Sequence, residues 1–499
     1  MKKLFSFLLF TLISACAYSL EMPEIFGDNM MLQQNTKARI WGWAKAGSVV
    51  EVRVSWNNQK CYATADKSGK WTLEVSTPKA SYDLQSVTIK GDGQTIVCHD
   101  VLIGEVWFCS GQSNMEMPLR GFWNCPVEGA GEAIAQSGKY KKAIRVATIA
   151  KADPLVPAEK VAGKWKTCEP KNAPEFSACG YFFATALNDI IDAPVGIINC
   201  SWGGSCVEGW LPKEILETYP DGLIPMDDTD YHRKMVMYNG MLHPLAGYTI
   251  KGFLWNQGES NVGKEKEYID RFSTMVKLWR KMWNQPGDKL PIYTVELPSY
   301  NYGDANGTWC PQFRSAQHVI ANTLENSGCV CTADLIYPYE AEQIHGTQKK
   351  QIGQRLAYLA ATRDYGVEGI GAEAPEFLLM EAHEASDADA QVIAGTAVAK
   401  NENEKGTVYH IYFNNATDGF DRLTGIEGFE AQGADGQWYP ATVWADSAWK
   451  DVKIQGCFLK LVCPEAGEVK NIRYCYHNFM PAKLHNSMGQ PVVPFTTEK

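Results

Sequence analysis

The sequence lacks several features that would otherwise suggest its class. After the first twenty residues it has no run of about eighteen apolar residues, so no transmembrane helix is expected in the mature chain. Its 47 lysines and arginines are outnumbered by 57 aspartates and glutamates, and the net charge of −10 argues against nucleic acid as a partner. Its cysteines show no metal-site spacing. With 45% apolar and 11% aromatic residues, the chain is expected to be globular rather than disordered.

The amino terminus has the layout of a secretory signal peptide. Two lysines precede an apolar run at residues 4–13, and small residues follow it. We expect residues 1–20 to form this signal and the protein to be exported to the periplasm or the extracellular space. Residues 17–19 suit ordinary signal peptidase, which we favour. The alternative is a lipoprotein box that would leave a lipid anchor on Cys16.

Strand and helix signals divide the rest of the chain into three regions. In residues 21–100 and 369–499, short alternating segments are separated by turn signals, which predicts β-sandwich-like regions at both ends. Between them, residues 101–368 alternate apolar strands with helices, which predicts a mostly parallel sheet covered on both faces. The predicted fold class is therefore α/β, with three α/β/α layers between two β-rich regions.

The middle region has five predicted strands and four predicted helices. The predicted strands are 101–109, 194–200, 250–255, 292–297 and 329–333. The predicted helices are 176–191, 268–283, 311–324 and 347–361. In such a sheet the carboxyl ends of the strands share one edge, and ligands bind there. The polar segments that follow the first three strands are therefore expected to meet.

Ser113 is the candidate nucleophile. It follows the first predicted strand, and Gly111 permits a sharp turn that would expose its hydroxyl at the strand's end. A serine hydroxyl needs a base to take its proton and donors to receive charge on the substrate oxygen. The candidate donors of this oxyanion hole are the backbone N–H groups of Ser113 and of Gly203 or Gly204, and the side-chain amide of Gln257.

His345 is the candidate base. It lies after the last predicted strand and just before the last helix of the middle region, in a loop at the same edge. An imidazole with a pKa of about 6.5 can accept the serine proton at neutral pH and return it to a leaving alcohol. Glu342 is the candidate acid that would hold the other ring nitrogen. These residues predict a serine esterase without a metal or an organic cofactor.

Several motifs resemble those of one known family. They are Gly-Gln-Ser-Asn-Met at 111–115, Trp-Gly-Gly with a later Glu and Trp at 202–210, Gln-Gly-Glu-Ser-Asn within 251–261, and the terminal segments 25–30 and 486–495. The chain resembles the sialate O-acetylesterase family of SGNH hydrolases over nearly its whole mature length. The resemblance implies an SGNH-type, flavodoxin-like hydrolase domain and a serine esterase that removes O-acetyl groups from sialic acids.

The resemblance also implies site residues. It gives Ser113 as nucleophile and His345 as base, and it supports Gln257 where more distant SGNH enzymes have an asparagine in the oxyanion hole. A sialic acid carries a carboxylate that needs a cationic partner, for which Arg120 is the candidate. Two further candidates for substrate contact or support of the site are Asn114 and Glu259.

Two departures from the family pattern concern the base and the acid. Gly346 follows His345 where the family usually has proline, and Glu342 stands where SGNH enzymes commonly have aspartate. Glu342 could serve through its longer reach, and Glu340 or Asp334 could replace it. A backbone carbonyl could also orient the imidazole.

Two other functions stay open at the level of sequence. An O-deacetylase of another carbohydrate, such as acetylated xylan, would use the same chemistry because the reaction involves only the acetyl ester. A non-catalytic glycan-binding protein would bind through its two β-rich regions, with a decayed esterase core between them.

Overall fold

A computed structural model describes most of the chain. The described residues are 19–224, 227, 229–284, 289–387, 389, 392, 406–416, 419–422, 425–445 and 458–498. The predicted signal peptide, except its last two residues, and the alternative lipid site at Cys16 lie outside them. No described helix is long and apolar enough to cross a membrane, and the described cysteines are free thiols.

The amino-terminal region is a small β-sandwich. Its strands are β1 (Met31–Gln33), β2 (Lys37–Trp43), β3 (Val49–Val54), β4 (Lys60–Thr64), β5 (Lys70–Ser76), β6 (Ser81–Gly91) and β7 (Gln94–Gly111). One sheet contains β1, β3, β4, β6 and the first half of β7, whereas β2 pairs with β5. The alternate residues Val50 and Val52 are buried in a core shared with Ile40 and Val75, which accounts for the alternating sequence pattern.

The middle region is built on a parallel sheet. Its further strands are β8 (Ile144–Thr148), β9 (Trp165–Thr167), β10 (Val195–Ser201), β11 (Gly252–Asn256), β12 (Ile292–Val295) and β13 (Ser327–Val330). The order across the sheet is β13-β12-β11-β7-β10-β8-β9, with β9 antiparallel to β8 and the other pairs parallel. The second half of β7 is therefore at the centre of this sheet.

Helices lie on both faces of the sheet. They are α1 (Ser113–Glu116), α2 (Ala130–Gln136), α3 (Ala178–Ile191), α4 (Lys213–Leu216), α5 (Glu265–Trp283), α6 (Trp309–Thr323) and α7 (Lys349–Tyr365). Shorter 3₁₀ or π turns are Ser137–Tyr140, Ala173–Glu175, Val207–Trp210, Asp230–His232, Tyr238–Leu242, His243–Leu245, Glu259–Asn261 and Pro338–Glu340.

Apolar packing divides the long helices between two layers. α3 and α7 bury apolar residues against one face of the sheet, and α5 and α6 do so against the other. α3 begins after Ser177, whose hydroxyl accepts the Gly180 N–H at 3.1 Å. α7 approaches α3 closely at Gly353, where a β-carbon would lie 2.7 Å from the Phe183 backbone nitrogen. This three-layer arrangement confirms the predicted fold class.

Some predicted strands differ from the observed ones. β13 covers residues 327–330 rather than 329–333, because Cys331 and Ala333 are buried in the carboxyl-terminal core instead of continuing the strand. β8 and β9 were not predicted from the sequence. β8 is short and begins immediately after a lysine-rich segment, so its apolar signal is weak.

The carboxyl-terminal region contains two antiparallel sheets over one core. Its strands are β14 (Glu376–Glu384), β15 (Thr407–Asn414), β16 (Phe429–Gln432), β17 (Trp438–Pro440), β18 (Thr442–Ala445), β19 (Phe458–Val462), β20 (Asn471–Tyr474) and β21 (Phe495–Thr496), with a 3₁₀ turn at Pro464–Ala466. The sheets have the orders β14-β15-β19-β18 and β17-β16-β20-β21. We propose domains at 21–100, 101–368 and 369–499, with β7 running continuously across the first boundary.

Candidate active site

The carboxyl ends of β7, β10 and β11 lie side by side at one edge of the sheet. Gly111 pairs in register with Ser201 on one side and with Asn256 on the other. The Trp202 N–H donates to the Gly111 carbonyl, and the Gln112 N–H donates to the Asn256 carbonyl, each at 3.0 Å. The three polar segments therefore meet, as predicted from the sequence.

Ser113 is the first residue of α1, directly after the turn at Gly111. Gly111 has a φ of 131°, and a β-carbon there would lie 2.2 Å from the Asn256 carbonyl oxygen, so glycine is required. Ser113 is half-buried, and neither its hydroxyl nor its backbone N–H has a partner among the described residues. The N–H is unpaired because it lies at the start of a helix. Ser113 therefore has a free hydroxyl and a free donor at the end of the central strand.

The glycines after β10 lie directly beside Ser113. A β-carbon on Gly203 would be 3.3 Å from the Ser113 β-carbon and 3.1 Å from a carboxylate oxygen of Glu116. The Gly203 N–H donates to this carboxylate. Gly204 has a φ of 79°, and its N–H has no acceptor within the described part of the chain. Of these predicted oxyanion donors, the N–H groups of Ser113 and Gly204 are thus free and that of Gly203 is engaged.

Gln257 is completely buried below these segments. Its amide donates to the Ser205 carbonyl at 3.1 Å and to Asn261 Oδ1 at 2.8 Å. A primary amide has two hydrogens, and both are used here. In this arrangement Gln257 has no side-chain donor free for an oxyanion, and its part in the oxyanion hole stays a prediction. Its amide ties the segment after β11 to the segment after β10.

Asn114 connects the nucleophile to the loop of the candidate base. Its Nδ2 donates to the Ile344 carbonyl at 3.1 Å. Asn114 adjoins Ser113 in the chain and Ile344 adjoins His345, so a single side chain holds the two segments together. Asn114 is only 2% exposed, so its side chain is almost fully removed from solvent.

A buried ionic cluster surrounds Asn114. Lys349 Nζ donates to Asn114 Oδ1 at 2.6 Å, and Asn114 Nδ2 also donates to the Glu259 carboxylate. Burial raises the pKa of Glu259 and lowers the pKa of Lys349. One Glu259 oxygen, Oε2, is buried without a hydrogen-bond partner. Glu259 and Lys349 therefore hold the Asn114 side chain in place. The sequence did not reveal Lys349 as part of this cluster.

His345 is held in a mostly apolar environment. The Phe122 ring packs edge-on against its ring at 5.3 Å between centroids, and Cys125 Sγ lies 3.9 Å from its Nδ1. Burial, and secondly the charge of Lys349, lowers the pKa of His345 to about 4. The imidazole is therefore neutral at neutral pH, the state in which it can accept a proton. It is not hydrogen-bonded to the Ser113 hydroxyl in this structure.

Glu342, the predicted acid, has a hydrogen-bond partner other than His345. It is exposed, and its Oε1 accepts the Asn301 amide at 2.9 Å. No hydrogen bond or ion pair joins it to the imidazole. In this structure the Glu342 carboxylate bonds at the surface, and its role as the acid stays a prediction.

The two alternative acids also have other partners. The Glu340 carboxylate accepts the backbone N–H groups of Tyr337 at 2.8 Å and Thr347 at 3.1 Å, so it braces the loop. Asp334 binds Arg355 through two hydrogen bonds of 2.7 and 2.6 Å. Neither carboxylate contacts the imidazole of the candidate base.

Arg120, the predicted partner of a substrate carboxylate, is bound to another residue at the surface. Arg120 has a side chain that is 54% exposed, and its Nε donates to Glu175 at 2.8 Å. Lys151 Nζ instead lies 2.8 Å from Glu116, the residue bonded to the Gly203 N–H, and 5.5 Å from the centroid of the Trp202 ring. A single lysine in a loop carries no sequence signal, so Lys151 was missed.

The described residues contain no group of three or more His, Cys, Asp or Glu side chains that could hold a metal ion. The acidic side chains near the site bond separately to Lys151, Asn114 and Asn301 instead of meeting at one point. That the reaction needs no metal or organic cofactor stays a prediction.

Comparison with known proteins identifies a family for this chain. Residues 103–362 match the family described as "Carbohydrate esterase, sialic acid-specific acetylesterase", a match that covers just over half of the chain. The chain belongs to this carbohydrate esterase family. The predicted family is thus confirmed, as is the predicted enzyme class, a carbohydrate O-acetylesterase. The alternative of a non-catalytic glycan-binding protein is set aside.

Relatives of this carbohydrate esterase are known in mammals and bacteria. The sialate O-acetylesterase of Homo sapiens is 27% identical over 381 residues, which cover 70% of this chain and 72% of the human protein. That of Mus musculus is 26% identical over 406 residues, covering 70% and 74%. The crystal structure of a carbohydrate acetylesterase from Xanthomonas citri has a TM-score of 0.81 at 26% identity, covering 96% of this chain and 100% of that one.

Proposed function

We propose that this esterase hydrolyses O-acetyl esters of sialic acids, with Ser113 as nucleophile and His345 as base. The observation that carries the proposal is the Asn114 side chain, which holds the segment of the serine against the segment of the histidine. The sugar is proposed because the matching family is described as sialic acid-specific and the mammalian relatives are named sialate O-acetylesterases.

The reaction follows from these two groups. Nε2 of neutral His345 takes the Ser113 proton while the serine oxygen bonds to the acetyl carbonyl carbon, leaving a negative charge on the carbonyl oxygen. The carbon–oxygen bond to the sugar then breaks, and the sugar oxygen takes the proton from the imidazolium. Water next gives a proton to His345, attacks acetyl-Ser113 and releases acetate, and the imidazolium returns its proton to the serine oxygen.

The oxyanion is proposed to bind the free backbone N–H groups of Ser113 and Gly204. One such donor typically contributes about 3 to 4 kcal/mol to transition-state stabilisation. Gly203 contributes by having no side chain, since a β-carbon there would crowd the nucleophile. Glu116 accepts the Gly203 N–H, so the N–H of the neighbouring Gly204 is the donor that is still free.

Lys151 is the proposed partner of the sialic acid carboxylate. It binds Glu116, which also accepts the N–H of Gly203 beside the nucleophile, and its ammonium group has three hydrogens of which Glu116 takes one. Trp202, below the same ammonium, has an indole ring on which a sugar could pack. Arg120 is less suited because Glu175 already holds its guanidinium group.

A neutral acetylated carbohydrate such as acetylated xylan is the second candidate substrate. The observation in its favour is the Lys151–Glu116 ion pair, which leaves little net positive charge beside the serine. The relative from Xanthomonas citri is described simply as a carbohydrate acetylesterase.

The protein is also proposed to be exported, with residues 1–20 as its signal peptide. The supporting observation is the pattern of lysines, apolar residues and small residues there. Mass spectrometry of the mature protein tests this, since an unmodified new amino terminus supports ordinary cleavage and a lipidated Cys16 supports the lipoprotein alternative. Retention of Met1 would contradict both.

Acetate release tests the function directly. We expect Ser113→Ala and His345→Ala to lower kcat on p-nitrophenyl acetate by about 10⁴-fold or more with thermal unfolding nearly unchanged. The matched control is Ser273→Ala, a half-buried serine on α5 whose hydroxyl bonds only the Ile269 carbonyl. An active Ser113→Ala variant would contradict the mechanism.

The substrate is tested with 9-O-acetylated sialic acid and acetylated xylan. A higher kcat/KM on the sialic acid, lost in Lys151→Met but retained on p-nitrophenyl acetate, supports the proposed sugar. Equal loss on all substrates would show that Lys151 does not recognise a carboxylate.

A further inference from the structure

A short hairpin, residues 122–125, places two side chains against the base. The Phe122 N–H donates to the Cys125 carbonyl at 3.0 Å and the Cys125 N–H to the Phe122 carbonyl at 3.1 Å. Asn124, at the turn, has a φ of 57°. The Phe122 ring packs on the His345 ring, and Cys125 Sγ lies 3.9 Å from His345 Nδ1. The thiol thus occupies the position beside the ring nitrogen where a triad acid would bind.

Gln343 determines how this thiol is oriented. Its side-chain oxygen Oε1 lies 3.5 Å from Cys125 Sγ and also accepts the backbone N–H of His345 at 3.1 Å. An amide oxygen only accepts hydrogen bonds, so the single thiol hydrogen is directed to Gln343. The sulfur then presents lone pairs to Nδ1, and a favourable contact requires the imidazole hydrogen to be on Nδ1.

We propose that Cys125 is a positioning residue of the esterase: its sulfur accepts the Nδ1–H of His345 and so leaves Nε2 free to take the Ser113 proton. This inference rests on the proposed function. In a serine triad a carboxylate orients the histidine. Here two uncharged side chains, Gln343 and Cys125, would orient His345 instead.

The charged groups around the imidazole agree with such a neutral partner. Glu342, Glu340 and Asp334 bond elsewhere, and the charge that reaches His345 is that of Lys349. A carboxylate at Nδ1 would favour the imidazolium, whereas a thiol does not. The pKa of His345 is lowered, as expected if its partner at Nδ1 is an uncharged thiol.

The test compares Cys125→Ala, Cys125→Ser and Cys125→Asp on p-nitrophenyl acetate. We expect the alanine variant to lose about 100-fold in kcat with KM unchanged, because the ring is no longer held in the correct tautomer. Serine, which keeps one donor hydrogen and lone pairs, should restore most of kcat. Aspartate should keep activity and move the acid limb of the pH profile upward, because its charge raises the pKa of the imidazole.

Cys61→Ala, a half-buried cysteine in β4, is the matched control and should behave as the wild type. An alanine variant with wild-type kcat and pH profile, in an enzyme that Ser113→Ala inactivates, would overturn the role of Cys125 while leaving the proposed function intact. Equal losses in the alanine and serine variants would also overturn it, because they indicate packing alone.

If these variants fail to fold, the proposal can still be tested on the unmodified enzyme. Nitrogen-15 NMR of ring-labelled histidine, with His345 assigned by its loss in His345→Ala, reports which ring nitrogen carries the hydrogen. Hydrogen on Nδ1 at neutral pH supports the proposal. Hydrogen on Nε2 overturns it.

Discussion

The two sides of the active site are built by different means. On the nucleophile side, main-chain bonds between β7, β10 and β11 fix the turn at Gly111, and the close approach of Gly203 leaves no room for side chains. On the base side, the loop of His345 is held by side chains, among them Asn114 and Glu340. The first side depends on backbone geometry and the second on particular functional groups. Mutations should therefore affect them differently.

The largest effect is expected on the nucleophile side, from Gly111→Ala. A methyl group there would collide with the Asn256 carbonyl at a φ that alanine rarely adopts. We expect loss of measurable activity and about 3 kcal/mol or more of unfolding free energy, read from urea denaturation. Gly129→Ala is the control, because Gly129 has a φ of 71° in open space and should cost only about 1 kcal/mol. Equal effects in the two variants would mean that the close approach is unimportant.

The second effect concerns the link between the two sides, Asn114→Ala. The change would leave the buried Lys349 ammonium without its acceptor, at a cost of about 2 to 3 kcal/mol. With the His345 loop released, kcat should fall by about 100-fold. Asn301→Ala, which removes a surface amide, is the control and should change stability by less than about 0.5 kcal/mol. A normal kcat in Asn114→Ala would show that the two segments hold their positions independently.

The third prediction concerns how the activity depends on pH, because this dependence reports the pKa of the proposed base, His345. Because burial and Lys349 lower the pKa of His345 to about 4, the neutral, active form should persist well below pH 6. Activity should be lost only as the pH falls through about 4, when the ring becomes protonated. The measurement is kcat/KM on p-nitrophenyl acetate between pH 3.5 and 8. An acid limb near or above the ordinary value of about 6.5 would indicate a carboxylate partner.

The smallest effect is expected for Glu342→Ala on the base side. The carboxylate bonds Asn301 at the surface, so its removal should change kcat by less than about 3-fold. Initial rates with p-nitrophenyl acetate measure this. A fall of several hundred-fold would show that Glu342 turns inward during the reaction and would restore it as the acid.

The comparison also explains what the sequence could predict. The nucleophile side was predictable because apolar strands end in glycine-rich polar segments, and parallel strands bring such ends together. His345, the proposed base, was selected by its place in the chain after the last strand. Its partners were not, because Cys125 is 220 residues away in sequence and has no spacing signal. The role of Gln257 was predicted from type and position, and only the hydrogen bonds show that its amide is already used.

The continuous strand β7 has a consequence for how small this enzyme can be made. Its residues 102–104 pair with β1, and residues 101 and 103 pair with β6, before the strand enters the central sheet. Excision of the family-matching segment 103–362 alone would strip these neighbours from the strand that ends at the nucleophile. Residues 103 and 104 would lose their strand partners, and the surface at Gly104 and Gly196 that Met31 covers would be exposed, whereas residues 105–111 would keep their pairing with β10. The amino-terminal sandwich thus completes the packing around the central strand, and a shortened enzyme should keep β1 together with the buried residues Ile25, Phe26 and Met30.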